Sequence, residues 1–204
     1  LYDLPNRDCA ARSSAGELGP EDEGRYRADV VDPLAAQLRA HAAQRIAVVI
    51  EPDSLANLAT NGSIPKCAES DEIYRRSIAY AIATLSMPHV SLYLDAAHAG
   101  WLGWDGPRGK IAAIFKDVLD RARGARKIRG FATNVSGYGV LRGDDGRRLE
   151  PGNPCPDELT YVERLSEDLA KLGITDKTFV IDTSRNGRAG VRSRSGQWCN
   201  IEGA

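Results

Sequence analysis

The chain has 204 residues, 42% hydrophobic and 27% charged, enough apolar material to bury one sizeable core. Its 27 Lys and Arg against 28 Asp and Glu leave a formal charge of -1 and an isoelectric point near 6.4, which argues against nucleic acid or an anionic membrane as partner. No apolar run approaches the roughly 20 residues of a membrane-spanning helix.

Leu1 to Leu4 reads as the end of a strand, so the chain, which opens without Met, is expected to be part of a longer one. A polar loop from Pro5 to Pro20 holds Asp8, Cys9 and Ser14. A helix is predicted from about Glu21 to Ala43, where Tyr26, Val30, Leu34, Leu38 and His41 recur on one face. Ile46 to Ile50 is a continuous apolar run, β-branched except at Ala47 and without polar alternation, which predicts a strand covered on both faces. Glu51 and Asp53 stand at its end. Pro52 cannot continue a central strand and disfavours the α region at Glu51, so the chain must turn there, and Asp53 or Ser54 can cap a short helix through Leu58.

Asn61, Gly62, Pro65 and Cys67 mark a turn and loop before a helix near Asp71 to Leu85. Val90 to Leu94 is the next strand, closed by Asp95, and residues 96 to 107 form a Gly- and aromatic-rich loop carrying His98, Trp101 and Trp104. A helix through Ile111, Ile114, Val118 and Ala122 leads to a strand from Ile128 to Thr133, ending in Asn134. Residues 135 to 156 lack periodicity and predict a long loop, of the kind that is often functional. A helix marked by Leu159, Val162, Leu165, Leu169 and Leu172, a strand from Thr178 to Ile181 ending in Asp182, and a terminal loop with Trp198 complete the chain.

Five strands separated by helices predict an α/β fold with parallel pairing by right-handed crossovers. Asp3 or Asp8, Glu51, Asp53, Asp95, Asn134 and Asp182 all fall at C-terminal strand ends, and polar groups from several strands favour a barrel over an open sheet with one switch point. No GxGxxG or GxxxxGK[ST] follows a strand, so nucleotide binding has no support. Acids and indoles in the same loops suit a neutral polyhydroxylated ligand, because carboxylates bond hydroxyls and indole faces stack on sugar rings. The alternative for Trp101 and Trp104 is core packing beneath the loop. His98 lacks a second His or Cys at ligand spacing and reads as a hydrogen-bonding residue, so no metal and no cofactor is expected. Four cysteines, Cys9, Cys67, Cys155 and Cys199, contain no CxxC pair; two disulfides in an exported protein is the preferred reading, and four reduced thiols the alternative.

The segments YDLPNRDCAA (2–11), VIEPDSLANL (49–58), YLDAAHAGWLGW (93–104), ATNVSGY (132–138), IDTSRNG (181–187) and WCN (198–200) closely resemble, in order, the signature blocks of glycoside hydrolase family 6, the inverting cellulases. The resemblance implies a distorted parallel β/α barrel, incomplete here at both ends, with residues 1–204 the central part of a single catalytic domain. It implies that Asp53 is the general acid, that Asp8 supports it, that Tyr2 lies beside the distorted sugar, and that Ser14 helps hold the water. Arg7, Asp95, His98, Trp101, Trp104, Asn134 and Trp198 correspond to substrate-binding positions. A Cys9–Cys67 disulfide follows from the same resemblance, with Cys155–Cys199 as the second expected bridge. The implied activity is inverting hydrolysis of β-1,4-glucosidic bonds in cellulose by a secreted, monomeric cellobiohydrolase, of the bacterial type that the 137–156 insertion and the IDTSRNG block resemble. An endoglucanase of the same family, a non-catalytic glucan-binding barrel or a truncated, inactive one remain the alternatives. The catalytic base is expected outside these residues.

Overall fold

The computed structural model describes residues 1–10, 15–143, 150–188 and 190–203. Among them four parallel strands form one sheet in the order β1 (Ile46–Ile50), β2 (Val90–Asp95), β3 (Gly130–Thr133) and β4 (Thr178–Ile181). Each strand lies beside its predecessor with no reversal of order. That is the winding of a barrel wall, and a doubly wound sheet would reverse at a switch point.

The register puts Val48, Ile50, Leu92, Leu94, Phe131 and Phe179 on one face. Helices cover that face. They are α1 (an α turn Glu23–Arg25, a π-helical stretch Tyr26–Val31 and an α-helix Asp32–Ala40), α2 (Ser54–Asn61), α3 (Pro65–Leu85), α4 (Ala99–Leu102), α5 (Asp105–Arg121) and α6 (Glu158–Lys171). Tyr74, Ile78, Ile82, Phe115, Val118, Tyr161 and Leu165 are fully buried between helices and sheet, and the Phe115 and Phe131 rings stack 4.7 Å apart. The opposite face carries Ala47, Val49, Ser91, Tyr93, Asp95, Gly130 and Ala132, and it is more open along β1. Burial in β1 therefore alternates, contrary to the expectation of cover on both faces, because helices pack on one side only.

Four further expectations need correction. Leu1 to Leu4 is not a strand. The Leu1 nitrogen donates to Val49 O and Glu51 N–H donates to Leu1 O, both at 2.9 Å, as in a parallel ladder, but Asp3 and Leu4 then turn their amides to the Glu51 carboxylate and the ladder stops. The helix expected from Asp71 begins at Pro65, because a proline is accommodated in a first helical turn where its missing N–H is no loss. The loop expected over 96–107 contains α4 and the start of α5. The Cys155–Cys199 bridge is absent: Cys155 is buried with its Sγ donating to Gly103 O at 3.2 Å, whereas Cys199 lies exposed in the terminal loop. Cys9–Cys67 is a disulfide, joining the N-terminal loop to α3.

The π-helical stretch ends where Pro33, lacking an N–H, interrupts the i to i−4 ladder. It carries Tyr26, fully buried, whose hydroxyl donates to Glu51 Oε1 at 2.9 Å.

Candidate active site

The C-terminal edge of the sheet is where the backbone is most strained. Asn6, Asp8, Glu51, Asp53, Ala97, Asn134 and Ser136, none of them glycine, all have φ between 46° and 65°. Each left-handed non-glycine residue costs of order 1–3 kcal/mol, and such costs gather where side chains must be aimed. They fall directly after β1, β2 and β3 and in the N-terminal loop beside them.

Glu51 holds this corner together. Its buried carboxyl accepts Asp3 N at 3.1 Å, Leu4 N at 3.2 Å and the Tyr26 hydroxyl, fixing the segment that carries Tyr2, Arg7 and Asp8 against the end of β1. The Arg7 guanidinium lies 4.2 Å over the Tyr2 ring and also bonds Tyr2 O. The disulfide at Cys9 pins the same loop to α3, and Lys66 donates to Arg7 O at 3.0 Å. Ser14 lies outside the described residues.

Asp53 sits two residues beyond this corner. Burial raises its carboxyl above the usual aspartate range, and the charge of nearby Asp8 adds to that. Its backbone N–H donates at 3.0 Å to Asp95 Oδ2, which also accepts Ala97 N–H at 3.1 Å. Asp95 is buried on the inner face of β2, and burial followed by the Asp53 charge pushes it up to about 7, against those two hydrogen bonds. Desolvation and like charge thus act in the same direction on both Asp53 and Asp95.

Beyond the acids runs an aromatic row. His98 caps α4, with its ring centroid 4.4 Å from Trp198 and 6.1 Å from Trp101. Arg192 lies 3.7 Å over the Trp198 ring. Burial, with the Arg192 charge, lowers His98 to about 3, so the imidazole stays neutral, and its Nδ1 is buried without a hydrogen-bond partner. Trp198 is 37% exposed. Trp101 is half-buried against the core and donates Nε1–H to Thr60 Oγ1 at 2.9 Å, so the packing alternative holds for at least part of its ring. Trp104, half-buried, occupies the N-cap of α5. Asn134 is fully buried and commits its side chain to backbone: Nδ2 donates to Asp182 O at 2.9 Å and Gly139 O at 3.2 Å, and Oδ1 accepts Gly139 N–H at 3.0 Å. A cavity of about 430 Å³ opens beside this row, lined by His98, Tyr138, Val140, Asn153, Glu158 and Arg192 among others.

The family model of glycosyl hydrolases family 6 matches residues 1–204. The chain belongs to glycosyl hydrolase family 6. A 1,4-beta-D-glucan cellobiohydrolase, CEL6C of Podospora anserina, is 40% identical over 208 residues, covering 100% of this chain and 52% of the relative. Two solved structures from Humicola insolens are alike in their similarity. Cellobiohydrolase II (Cel6A), in complex with glucose and cellotetraose, is 37% identical with a TM-score of 0.91, covering 98% of this chain and 56% of that one. Endoglucanase CEL6B is also 37% identical with a TM-score of 0.91, covering 99% and 59%. The chain therefore spans about half the length of the family 6 relatives it matches, and its parallel α/β fold is that of their catalytic domains.

Reading the sequence alone missed Glu51 as the organiser of the corner, and Glu158 altogether. Glu51 was visible as a strand-end acid. Glu158 looks like any acid in a first helical turn, which is usually solvated, and nothing local marks it as buried.

Among the described residues no group of three or more His, Cys, Asp or Glu could hold a metal ion, and no helix is long and apolar enough to cross a membrane.

Proposed function

We propose that this family 6 chain carries part of a single catalytic barrel domain that hydrolyses β-1,4-glucosidic bonds in cellulose and cello-oligosaccharides with inversion, releasing cellobiose. The observation that carries the reading is Asp53. Protonating a glycosidic oxygen requires a carboxyl that is still an acid when an ordinary aspartate, titrating near 3.9, has ionised. Asp53 is raised by burial and by Asp8, and it stands at the C-terminal strand edge, its N–H bonded to Asp95 at the end of β2.

In this reading Asp53 gives its proton to the leaving oxygen, and Asp8, beside it, supplies the charge that keeps the proton in place. A water attacks from the opposite ring face, with Ser14 as its holder and the base supplied from outside these residues. Tyr2 lies at the sugar that distorts, with Arg7 orienting it. Neutral His98 offers a hydrogen bond to a hydroxyl, while Trp101, Trp104 and Trp198 offer stacking faces along the chain. Asp95 orders the Asp53 backbone and lines the inner wall. The Cys9–Cys67 disulfide supports an oxidising, extracellular location.

The decisive experiment is Asp53→Ala in the natural polypeptide containing residues 1–204. Activity on cellulose should fall by several orders of magnitude, while a substrate with an activated leaving group, which needs no proton, keeps more of its rate. The first-formed product should be the α-anomer by NMR. A β-anomeric product, or undiminished hydrolysis of cellulose by Asp53→Ala, would refute the assignment. Internal cleavage, an endoglucanase mode, is the second reading, favoured by the equal similarity to the Humicola insolens endoglucanase. Viscosity loss of a soluble cellulose derivative, compared with reducing-end release, separates the two.

A further inference from the structure

Glu158, the first residue of α6, is fully buried and has no part in the chemistry proposed above. Its carboxyl reaches under the substrate edge. Oε1 accepts the backbone N–H of Ala99 at 2.9 Å, the residue after His98, and so fixes the turn that carries His98 and Trp101. The same oxygen occupies the space over Gly139, where a Cβ would stand only 2.5 Å from it. Gly139 in turn makes both an N–H and a C=O bond with the Asn134 side chain. The Glu158 backbone N–H donates to Val140 O at 3.0 Å, tying the same loop a second time. Oε2 is buried without a well-formed hydrogen bond, and its neighbour, the Thr133 hydroxyl at the end of β3, is equally unpaired.

We propose that Glu158 is a positioning residue for the substrate edge: its buried carboxyl sets the His98 turn and the Asn134–Gly139 turn at one fixed separation, and through them the grip on the sugar chain. The inference rests on the glucan-binding reading of the cleft. Two segments distant in sequence meet on one side chain, and one of them carries His98 and Trp101, the groups assigned to the sugar. The protonation state fits the role. Burial lifts the carboxyl to about 7, with the charges of Asp157, the N-cap of its own helix, and Asp95 on β2 acting the same way and the bond from the Ala99 N–H opposing. Tyr161, on the same helix, faces it with its hydroxyl committed to Ala96 O, and His98 and Arg192 face it across the cavity. At acidic pH the group is a neutral acid, with Oε1 accepting from Ala99 and Oε2–H free to donate to Thr133. A glutamine reproduces that pattern, its carbonyl accepting and its amide donating; an alanine does not.

The test uses the natural polypeptide containing residues 1–204, at pH 5. Glu158→Ala should raise Kd for cellotetraose and KM roughly tenfold, about the worth of one buried hydrogen bond left unmade, with kcat within about threefold of native. Glu158→Gln should stay within about twofold of native. Combined with His98→Ala, Glu158→Ala should add less than about a twofold further loss, since the two act on the same contact. Without any sugar, hydrogen exchange at the Ala99 amide should accelerate in Glu158→Ala and not in Glu158→Gln. If Glu158→Ala fails to fold, Gly139→Ala is the second variant, since its Cβ displaces Oε1 and should give the same rise in KM and faster Ala99 exchange. Native Kd and native Ala99 exchange in the alanine variants, equal losses in Glu158→Gln and Glu158→Ala, or fully multiplicative effects with His98→Ala would each overturn the proposal. A native polypeptide that binds no cellotetraose would refute the glucan reading instead, and the proposed grip with it, while Ala99 exchange still decides whether Glu158 sets the turn.

Discussion

Asp95→Asn should make the folded protein more stable at alkaline pH, although it alters a buried residue. A carboxyl at about 7 in the fold and near 3.9 in the unfolded chain holds its proton more tightly when folded. Its contribution to stability is therefore complete below pH 4 and is lost as pH rises through 7. With a difference of about three pKa units and 1.36 kcal/mol per unit, the native protein gives up about 4 kcal/mol between those limits from this group. The asparagine never ionises. Both local hydrogen bonds, from Asp53 N–H and Ala97 N–H, converge on the one oxygen Oδ2, which an amide carbonyl replaces without moving the backbone. At pH 4 the two proteins should then agree within about 1 kcal/mol. By pH 8 the variant should lead by up to about 4 kcal/mol. Urea unfolding of the two natural polypeptides at intervals from pH 4 to 8 measures the difference directly, and contributions common to both, such as that of Glu158, cancel. A stability difference that stays flat across this range, or that favours the native protein more as pH rises, would show that Asp95 is not held protonated by its burial.

Gly130→Ala should be strongly destabilising. A Cβ there would stand 1.7 Å from Thr178 O, so β3 and β4 must separate, and overpacking of this kind costs at least about 1–3 kcal/mol, read as a lowered Tm. Replacing Cys9 and Cys67 by Ser should cost about 4 kcal/mol on the chain-entropy model for 58 residues, and a variant of unchanged stability would remove the disulfide as the clamp on the Asp8 loop. Trp198→Ala, at an exposed ring, should leave stability within about 0.5 kcal/mol but weaken cello-oligosaccharide binding; Trp101→Ala, packed on the core, should lose about 2 kcal/mol as well. The opposite ranking in thermal unfolding would reverse which indole is structural.

The order of β1 to β4 and of the long helices between them is legible in the residues, as is the edge at which the strand-end acids gather, whereas the helix Ala99–Leu102 and the non-strand at 1–4 are not. Short apolar runs mark β1 to β4 and apolar residues at helical spacing mark the long helices, because the face of each strand that meets the helices must be apolar. Pro52, between two acids, announces that Glu51 and Asp53 turn off the end of β1, since no proline continues a central strand. These are local constraints, and local constraints are written in short windows of residues. Only the tertiary structure decided which acids are desolvated. Asp95 and Asp182 look alike as strand-end aspartates, yet Asp95 is buried under Asp53 and rises to about 7, while Asp182 spends its oxygens on Ser136 and Ser184 N–H groups, whose hydrogen bonds overcome the effect of burial and hold it below its usual range. Glu158 resembles a solvated helix-start acid, and Cys155 resembles half of a second bridge; one proves to be a buried tie between the His98 turn and the Gly139–Val140 segment and the other a thiol bonded to Gly103 O. Burial and partnership are set by segments 40 to 60 residues away, such as Ala99 beside Glu158 and Asp3 beside Glu51. No short window of sequence carries the desolvation and the field those distant groups impose, and it is these that fix the pKa of a carboxyl.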